Sequence, residues 1–419
     1  MIVYCTKCGK QFSSDIFCTQ CGTKKETLPG SDGPLISSDE HEIISYYFGK
    51  YFPYHVIVIF LKTYHGITMS TRTLKRRLRQ FGLKRREANV SELVLRRIIE
   101  QEMEGPASAK GYRGLWHALR CSYGIITPRD TVMRLLRDID PEGTEQRRYH
   151  RLHRRRYNSP GPNNCWHVDG YDKLKPYGLP IHGCVDGFSR KVLWLSVSRS
   201  NKNPLVPAYL FVQKVRELGF SPRLIQTDCG TENGIMADVQ CFFMQNENAH
   251  RYGSSPSNQR IENWWSFHRR AFSGWVMNFF KDLVDQGILL TGNHIHIECV
   301  WFVFSELLQS QLDQVRYQWN THYIRKSRHG TVSGIPDILF YAPEAKNYVD
   351  QKVEISEEVI TNALSQRDVI TEGLEVINNV DSELSEYFEY VVRAENIDHP
   401  PKDWNAARVM FEKIIRLCT

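Results

Sequence analysis

The sequence lacks an apolar run long enough to cross a membrane, and its first residues lack the features of a secretory signal. The longest apolar runs, such as VIVIFL at 56–61, fall far short of the roughly 20 residues that a membrane-spanning helix needs. The opening MIVYCTKCGK has no n-region, no apolar h-region and no cleavage site. We therefore expect a protein without a membrane partner or a secretory leader.

The sequence also lacks the cysteine pattern of a disulfide-stabilised protein. Eleven cysteines is an odd number, and apart from four near the start they are scattered singly. This pattern favours a reducing compartment. A length of 419 residues with 41% hydrophobic and 12% aromatic residues excludes a disordered chain. The same length predicts several domains, because one core rarely organises so many residues.

Acidic residues are absent from one long basic stretch. Residues 72–86 hold eight Lys or Arg and no acid, and residues 147–156 hold six Arg and two His. From residue 350 to the end, fifteen Asp or Glu face seven Lys or Arg, a balance of −8. A basic front and an acidic tail indicate a polyanionic partner that binds the front. A solvated basic face without a partner is the alternative.

Four of the cysteines have the spacing of a metal site. The stretch CTKCGKQFSSDIFCTQCG contains two CxxC pairs separated by nine residues. Each CxxCG turn brings two thiolates to one side of a loop, and two such turns form a closed, tetrahedral four-sulfur site. We predict a structural Zn²⁺ in a module that resembles a short zinc ribbon, the alternative being four buried cysteines without metal. The predicted ligands are Cys5, Cys8, Cys18 and Cys21.

Two sets of three helical segments follow a Gly-, Pro- and Ser-rich linker. In each set a short polar turn leads into an Arg-bearing third helix, beginning near Ser70 or Thr71 in the first set and near Thr127 or Pro128 in the second. This arrangement is typical of helix-turn-helix domains. A trihelical bundle that binds nothing is the alternative for each set, but two in tandem beside Arg runs favour binding to double-stranded DNA. The predicted DNA-contact residues are Arg72, Lys75, Arg76, Arg77, Arg79, Arg129, Arg134, Arg154, Arg155, Arg156 and Arg260.

From residue 165 onward the pattern changes to strands alternating with helices. CWHVDGYDKL places Trp166 and Val168 on one strand face and His167 and Asp169 on the other. IHGCVDGFSRKVLWLSVS predicts two strands around an Asp-Gly turn, and PRLIQTD predicts a short buried strand. PLVPAYLFVQKVRELG, GIMADVQCFFM and IENWWSFHRRAFSGWVMNFFKDLV predict helices. The order predicts an α/β layer with a mixed sheet.

Three carboxylates are expected at neighbouring ends of these elements. Asp169 is expected at the end of the first strand, Asp228 at the end of the fourth, and Glu262 at the start of the long helix. Ends of adjacent strands open onto one crevice, where three carboxylates repel one another without a cation. With Mg²⁺ or Mn²⁺ they become oxygen ligands, and two ions would activate a hydroxyl and stabilise the leaving oxygen of a phosphodiester. Asp172 and Asp186 compete for the first position, but both are expected to be structural.

Three blocks resemble the signatures of the DDE transposase and retroviral integrase superfamily. They are WHVDGYDKL, LIQTDCGTEN and SPSNQRIENWW, and the similarity covers roughly residues 160–290. The later WNTHYIRKSRHGTVSGIPDILF resembles the downstream block of transposon-derived integrase core domain proteins of eukaryotes. The resemblance implies a ribonuclease-H-like fold in which Asp169, Asp228 and Glu262 are the catalytic metal ligands. It also implies action on transposon ends and target DNA, in the nucleus or, for a bacterial source, in the cytoplasm.

The sequence departs from this superfamily at three points. Only 33 residues separate Asp228 from Glu262, slightly fewer than in retroviral integrases. Cys229 stands where Asn, Ser or Arg is commoner, and the four-Cys module replaces the His-and-Cys zinc domain of those integrases. None of these departures removes a carboxylate.

Residues near the carboxylates have a structural interpretation beside the functional one. Arg260 is placed to clamp a phosphate, whereas His167 is expected to be a satisfied strand histidine. Trp264 and Trp265 are expected to pack rather than to stack on bases. HIHIEC at 294–299 fits no standard metal spacing, and the WNTHY block is expected to pack against the core.

We therefore predict a multidomain α/β protein whose catalytic core has a mixed five-stranded sheet. Its predicted function is metal-dependent DNA end cleavage and strand transfer by at least a homodimer. The alternatives are a domesticated, catalytically inactive DNA-binding or transcription-regulating protein, and a nuclease that cuts without joining. The predicted segments are a zinc ribbon at 1–26, a linker at 27–38, helix-turn-helix domains at 39–88 and 89–146, an Arg-rich linker at 147–160, the ribonuclease-H-like core at 161–292, its C-terminal extension at 293–349 and an acidic helical tail at 350–419.

Overall fold

A computed structural model describes residues 39–85, 90–105, 110–141, 159–253, 258–326, 332–364 and 368–418. These residues form two compact units. The first contains the N-terminal helices, apart from the last turn of the fourth, and the second contains everything from the first strand onward. No helix in these described ranges combines the length and the apolar character needed to span a membrane.

The first unit contains two successive sets of three helices. Ser70 begins the third helix, because its hydroxyl accepts a hydrogen bond from the Thr73 backbone N–H at 3.1 Å. The second helix ends at Gly66, whose φ of +66° is the left-handed conformation that glycine adopts without strain. All six predicted helical segments are helices, with these bounds: α1 (Glu40–Gly49), α2 (Tyr54–His65), α3 (Thr71–Gln80), α4 (Glu92–Met103), α5 (Tyr112–Tyr123) and α6 (Arg129–Ile139).

The second unit is built on a mixed five-stranded sheet with β1 at its centre. β1 pairs antiparallel with β2, which pairs antiparallel with β3, and on its other side β1 pairs parallel with β5, which pairs parallel with β6. The order β3-β2-β1-β5-β6 fits a ribonuclease-H-like core. The strands are β1 (Trp166–Tyr171), β2 (Ile181–Asp186), β3 (Val192–Val197), β5 (Ile225–Thr227) and β6 (His250–Tyr252). A separate two-stranded sheet pairs β4 (Phe220–Ser221) with β7 (Val353–Glu354).

Helices cover this sheet. The long helix predicted over 261–284 forms, but a π-helical turn at Arg269–Ser273 divides it in two. Such a turn adds one residue to the local winding and so changes which side chains face the sheet beyond it. The helices are α7 (Leu205–Leu218), α8 (Gly234–Met244), α9 (Gln259–His268), α10 (Gly274–Asp285), α11 (His294–Thr321), α12 (Pro336–Tyr341), α13 (Glu357–Ala363), α14 (Val369–Ile377), α15 (Ser382–Ala394) and α16 (Trp404–Cys418).

Helix α11 covers the β3 edge of the sheet with polar side chains. The Asn320 amide accepts from the Val192 N–H and donates to the Val192 carbonyl, both at 2.8 Å. Gln309 accepts from the Val197 N–H at 2.9 Å and donates to the Leu195 carbonyl at 3.0 Å. An open edge strand exposes unpaired backbone groups, so these amides replace a further strand. The WNTHY block therefore packs against the core, as expected, and its Asn also completes the sheet.

The acidic C-terminal segment contributes to the same hydrophobic core. One cluster of buried residues contains Phe280 of α10, Phe304 of α11, Phe388 of α15 and Trp404 of α16. The aromatic rings of Phe304 and Trp404 are stacked at 6.0 Å. The net negative charge of the segment thus lies on the outer faces of helices whose inner faces are apolar.

Candidate active site

Asp169 lies inside β1 rather than at its end. It is the fourth of six strand residues and stands opposite Gly183 of β2. The strand continues past it because Gly170 and Tyr171 remain paired with β2, and the buried Tyr171 ring lies 4.9 Å from that of Trp265. The sequence correctly places Asp169 on a strand face but ends the strand two residues too early.

Asp228 follows directly after β5, the parallel neighbour of β1. His167 is paired with Gln226 in the register of these strands. The same register, continued by two residues, puts Asp228 beside Asp169. The Asn233 side chain donates to the Asp228 carboxylate at 3.4 Å. The sheet therefore brings together two of the three predicted carboxylates.

Glu262 occupies the first turn of α9, as predicted, and α9 is attached to β1 by Asn258. The buried Asn258 amide contacts His167 Nδ1 through its oxygen at 2.7 Å and donates to the Val168 carbonyl at 3.0 Å. Burial lowers the pKa of His167 to about 4, so the ring is neutral. His167 is thus a satisfied strand histidine, as expected. The role of Asn258 has no signal in the sequence, because its partners lie about 90 residues away along the chain.

The three carboxylates act on one another electrostatically. Burial, and after it the negative charges of Asp228 and Glu262, together raise the pKa of Asp169 to about 7. Hydrogen bonds from the Trp265 side chain and the Gly170 backbone oppose this rise. Like charges in one site disfavour simultaneous ionisation. The three side chains therefore share one electrostatic environment.

The indole N–H of Trp265 donates to Asp169 Oδ2 at 3.0 Å. Trp264 and Trp265 are both buried, with 2% and 5% of their surface exposed, so both pack as expected. Only the second of these indoles reaches a carboxylate among the contacts of the described residues. The sequence predicts the burial of this pair but not the contact, because nothing local distinguishes the two tryptophans.

The carboxylates have the donor chemistry of a divalent-cation site. Within the described ranges, no group of three or more His, Cys, Asp or Glu side chains is arranged closely enough to form a ready cage for a metal ion. Asp169, however, is held close to two further negative charges, and a cation relieves this repulsion. Carboxylate oxygens are also the ligands that Mg²⁺ prefers. The residues present therefore fit Mg²⁺ or Mn²⁺ by charge and by donor type.

The competing acidic residues are engaged elsewhere. Asp186 is fully buried and accepts hydrogen bonds from the backbone N–H groups of Asn163 and Ser189 and from the Ser189 hydroxyl. Asp172 accepts from the Asn201 amide at 2.9 Å. In the HIHIEC stretch, Glu298 is paired with Arg199. These contacts support the structural interpretation of all three stretches.

The predicted DNA-contact residues fall into groups with different surroundings. On α3, the side chains of Arg72, Lys75, Arg76 and Arg79 are exposed, whereas Arg77 is paired with Glu40 at 3.0 Å. On α6, Arg134 forms a two-bond pair with Glu92 at 3.0 and 2.7 Å. Arg129 lies 5.9 Å from the ring of Trp116.

The remaining predicted site residues are Arg260, which the structure describes, and two groups that lie outside the described residues. Arg260 is in the first turn of α9, close enough to His167 for its charge to lower the pKa of that ring. The predicted zinc ligands Cys5, Cys8, Cys18 and Cys21 lie outside the described residues, and so do Arg154, Arg155 and Arg156.

Comparison with known proteins relates the part of the chain that contains the carboxylates to a protein family. Residues 156–347 match the family model described as Integrase core domain. No curated protein matches the chain. Among solved structures, the chain is similar to one in the cryo-EM structure of the simian T-cell lymphotropic virus intasome in complex with PP2A regulatory subunit B56 gamma. That similarity has 16% identity and a TM-score of 0.29, and it covers 60% of this chain and 81% of the other.

Proposed function

We propose that this protein is a DNA strand transferase that cleaves DNA ends and joins them to target DNA. The premise is that residues 156–347 match an integrase core domain, the domain of the DDE superfamily. The proposal includes Asp169, Asp228 and Glu262 as its catalytic carboxylates, and a structural Zn²⁺ in the N-terminal ribbon. Joining two ends requires two active sites, so the proposal also includes at least a homodimer. We place its action in the nucleus, or in the cytoplasm if the source is bacterial.

One observation carries the proposal. The fold holds three carboxylates that are far apart in the sequence near one another: Asp169 on β1, Asp228 directly after the adjacent parallel strand β5, and Glu262 in the first turn of α9. A fold optimised for stability alone has little reason to hold like charges together. The integrase core domain provides a reason, because such a cluster is where a divalent cation binds.

The chemistry divides between the cation and the chain. Mg²⁺ or Mn²⁺, held by Asp169, Asp228 and Glu262, would supply the activation of a hydroxyl and the stabilisation of a leaving oxygen at a phosphodiester. The chain's own residues would position the carboxylates and the DNA. Asn258 holds the start of α9 against β1, and Arg260 is placed in the first turn of that helix to contact a DNA phosphate.

The experiment that tests the function is a strand-transfer assay with Mn²⁺, 3′-end oligonucleotides and a supercoiled target. We expect joined products from the wild type and none from Asp228→Asn, because the variant loses one charged ligand. The matched control is Asp172→Asn, which changes an acidic residue that is engaged by Asn201 rather than by the carboxylate cluster. This control should retain activity.

The other outcomes separate the remaining functions. Cleavage of the DNA without joining would identify a nuclease. DNA binding without cleavage in the wild type, with a panel of DNA ends, would favour the domesticated DNA-binding protein and would contradict the strand transferase.

The DNA-binding surface is tested separately by salt dependence. The exposed α3 side chains Arg72, Arg76 and Arg79 are expected to neutralise phosphates. The triple Ala variant should therefore lower the slope of log K against log salt by about 1 for each phosphate that it no longer neutralises. The control is Arg393→Ala on α15, an exposed residue of the acidic C-terminal segment whose guanidinium pairs with Glu389 at 2.6 Å. An unchanged slope in the triple variant would move the DNA-binding surface away from α3.

A further inference from the structure

We propose that Trp265 is a positioning residue whose indole N–H fixes the orientation of the Asp169 carboxylate. This inference rests on the proposed function, because the orientation of Asp169 matters for catalysis only if Asp169 is a metal ligand. The contact that supports it is the 3.0 Å hydrogen bond from Trp265 Nε1 to Asp169 Oδ2. Residues that hold a ligand from outside are nearly as important to a metal site as the ligands themselves.

The spacing along α9 puts the necessary side chains on one face of the helix. Glu262 follows Asn258 by four residues and precedes Trp265 by three, which are the intervals of neighbours on a helix surface. Asn258 contacts His167 and Val168 of β1, and Trp265 contacts Asp169. Helix α9 is therefore attached to β1 on both sides of Glu262. The second attachment ends on a carboxylate rather than on the backbone.

The sheet has space for the Trp265 ring at this position. Gly183 is paired with Asp169 across β1 and β2. A Cβ added to Gly183 would lie 2.8 Å from Cη2 of Trp265, closer than real side chains pack. The absence of a side chain opposite Asp169 therefore allows the indole to lie over the sheet. The ring of Tyr171, tilted by 31° at 4.9 Å, supports it along the same strand face.

This hydrogen bond limits the rotation of a short side chain. A carboxylate on Cβ turns easily about its last bond, since such torsions have broad energy minima. A rigid indole donor on a buried ring removes that freedom, because the ring itself is held by packing. The bond also occupies Oδ2, so Asp169 presents a defined oxygen to any further partner.

Trp264 provides a matched control. It is the same residue type at the preceding position, and it is buried to a similar extent, at 2% exposed against 5%. Its indole N–H has no hydrogen-bond partner among the described residues. It stacks on His268 at 4.9 Å instead. Trp264→Phe and Trp265→Phe therefore remove similar volume and the same N–H group, but only the second change affects Asp169.

The test measures Mn²⁺ binding by the full chain without DNA, using calorimetry, and takes the Mn²⁺ binding that Asp228→Asn abolishes as the signal of this site. We expect Trp265→Phe to weaken that binding by about 10-fold to 100-fold, the range typical of residues that hold a metal ligand in place. Trp264→Phe should leave it unchanged. Equal binding by the two Phe variants would overturn the proposal.

If Trp265→Phe fails to fold, Gly183→Ala replaces it in the Mn²⁺ binding test, because the added Cβ displaces the Trp265 ring and leaves both hydrogen-bonding residues intact.

A second readout needs neither metal nor activity. In protein labelled with ¹⁵N at the indoles, the Trp265 N–H resonance should shift in Asp169→Ala while the Trp264 resonance stays in place. A Trp265 resonance that does not shift in Asp169→Ala would contradict the hydrogen bond and with it the proposal.

Strand transfer separates this inference from the proposed function. A wild type that transfers strands, together with Phe variants that bind Mn²⁺ equally, would retain the function and reject the role of Trp265. A wild type that binds Mn²⁺ but does not transfer strands, together with weakened binding in Trp265→Phe, would retain the role and reject the activity. A wild type that binds no Mn²⁺ at this site would overturn both.

Discussion

At the β3 edge of the sheet, polar side chains of α11 meet backbone groups that would otherwise lack partners, whereas at β1 a helix meets the strand that carries one residue of an acidic cluster. Asn320 and Gln309 each donate one hydrogen bond and accept another from β3. At β1, Asn258 and Trp265 contact the strand that carries Asp169. Both regions are held by polar contacts between a helix and a strand.

The two regions differ in how charge is balanced. Beside β3, the buried ammonium group of Lys191 is 2.6 Å from the buried Asp337 carboxylate. At β1, Asp169 lies near two further negative charges, and its pKa is raised to about 7. Buried charges are normally paired with opposite ones, so holding like charges close together reduces stability.

This difference separates stability from function within one sheet. At the β3 edge, the backbone groups of Val192, Leu195 and Val197 have amide partners from α11, and the Lys191 ammonium group has its countercharge. On the β1 side, Asp169 is held near two further carboxylates, and a divalent cation would offset their mutual repulsion. Sites that depart from optimal packing or charge balance are where function is expected. The comparison therefore supports the carboxylate cluster as the functional site independently of sequence motifs.

The largest expected loss of stability comes from breaking the charge pair beside β3. Asp337→Asn leaves the Lys191 ammonium group buried without a countercharge, which should lower the free energy of unfolding by about 3–5 kcal/mol. Chemical denaturation measures this loss. The control is Glu389→Gln, which breaks an exposed pair with Arg393 and should cost less than about 1 kcal/mol. Equal losses would mean that Lys191 finds another partner.

The amide that completes the sheet edge should have the next largest effect. Asn320→Ala leaves the N–H and the carbonyl of Val192 without their partners, at a cost of about 1–3 kcal/mol for each buried group. Asn263→Ala is the control, because that exposed side chain donates to the Gln259 carbonyl of its own helix. Thermal and chemical unfolding of both variants measure the difference. A small loss for Asn320→Ala would show that water reaches this edge.

A third prediction concerns pH on the β1 side. His268 is fully buried, both of its ring nitrogens lack partners among the described residues, and burial lowers its pKa from 6.5 to about 3. Below about pH 6.5, His268 therefore binds a proton in the unfolded chain but not in the folded chain. Stability contributed by neutral His268 is complete above pH 6.5 and is lost as the pH falls towards 3, with a slope of about 1.4 kcal/mol per pH unit.

His268→Phe tests this prediction, because it keeps an aromatic ring but cannot bind a proton. The stability difference between variant and wild type should change in favour of the variant by roughly 2 kcal/mol between pH 6 and pH 4. His55→Gln, which changes an exposed histidine, is the control and should follow the wild-type profile. A parallel profile for His268→Phe would mean that His268 is protonated within the fold.

The sequence predicts the elements of the site better than the contacts within it. Alternation places Asp169 on a strand face and periodicity places Glu262 in the first turn of a helix, because both signals are local. The sequence predicts neither β4 nor β6, since their residues FS and HRY are too few to show a period of two and lack the apolar Leu-Ile pair that marks the similarly short β5. The π-helical turn at Arg269–Ser273 also has no local signal, so the sequence predicts one continuous helix there.

Contacts between distant residues are beyond reach from one sequence. The Asn320 and Val192 partners are 128 residues apart, and the Trp265 and Asp169 partners are 96 residues apart. No propensity identifies which of two adjacent tryptophans will reach a carboxylate. The excess of acidic residues after residue 350 also says nothing about packing, because net charge counts only the charged side chains. The buried Phe388 and Trp404 of the same segment do not enter that count.

The smallest predicted effect is a gain in stability, whereas the predictions for Asp337 and Asn320 are losses, so it best distinguishes the β1 side from the β3 edge. Glu262→Gln removes one negative charge from the cluster around Asp169, so it should raise the free energy of unfolding in a chelator, by on the order of 1 kcal/mol. Glu247→Gln, at an exposed position away from the cluster, should leave it unchanged. The same Glu262→Gln protein should lose strand transfer. A variant that is both less stable and inactive would show that Glu262 supports the fold, and that the acidic side of the sheet is balanced as fully as the β3 edge.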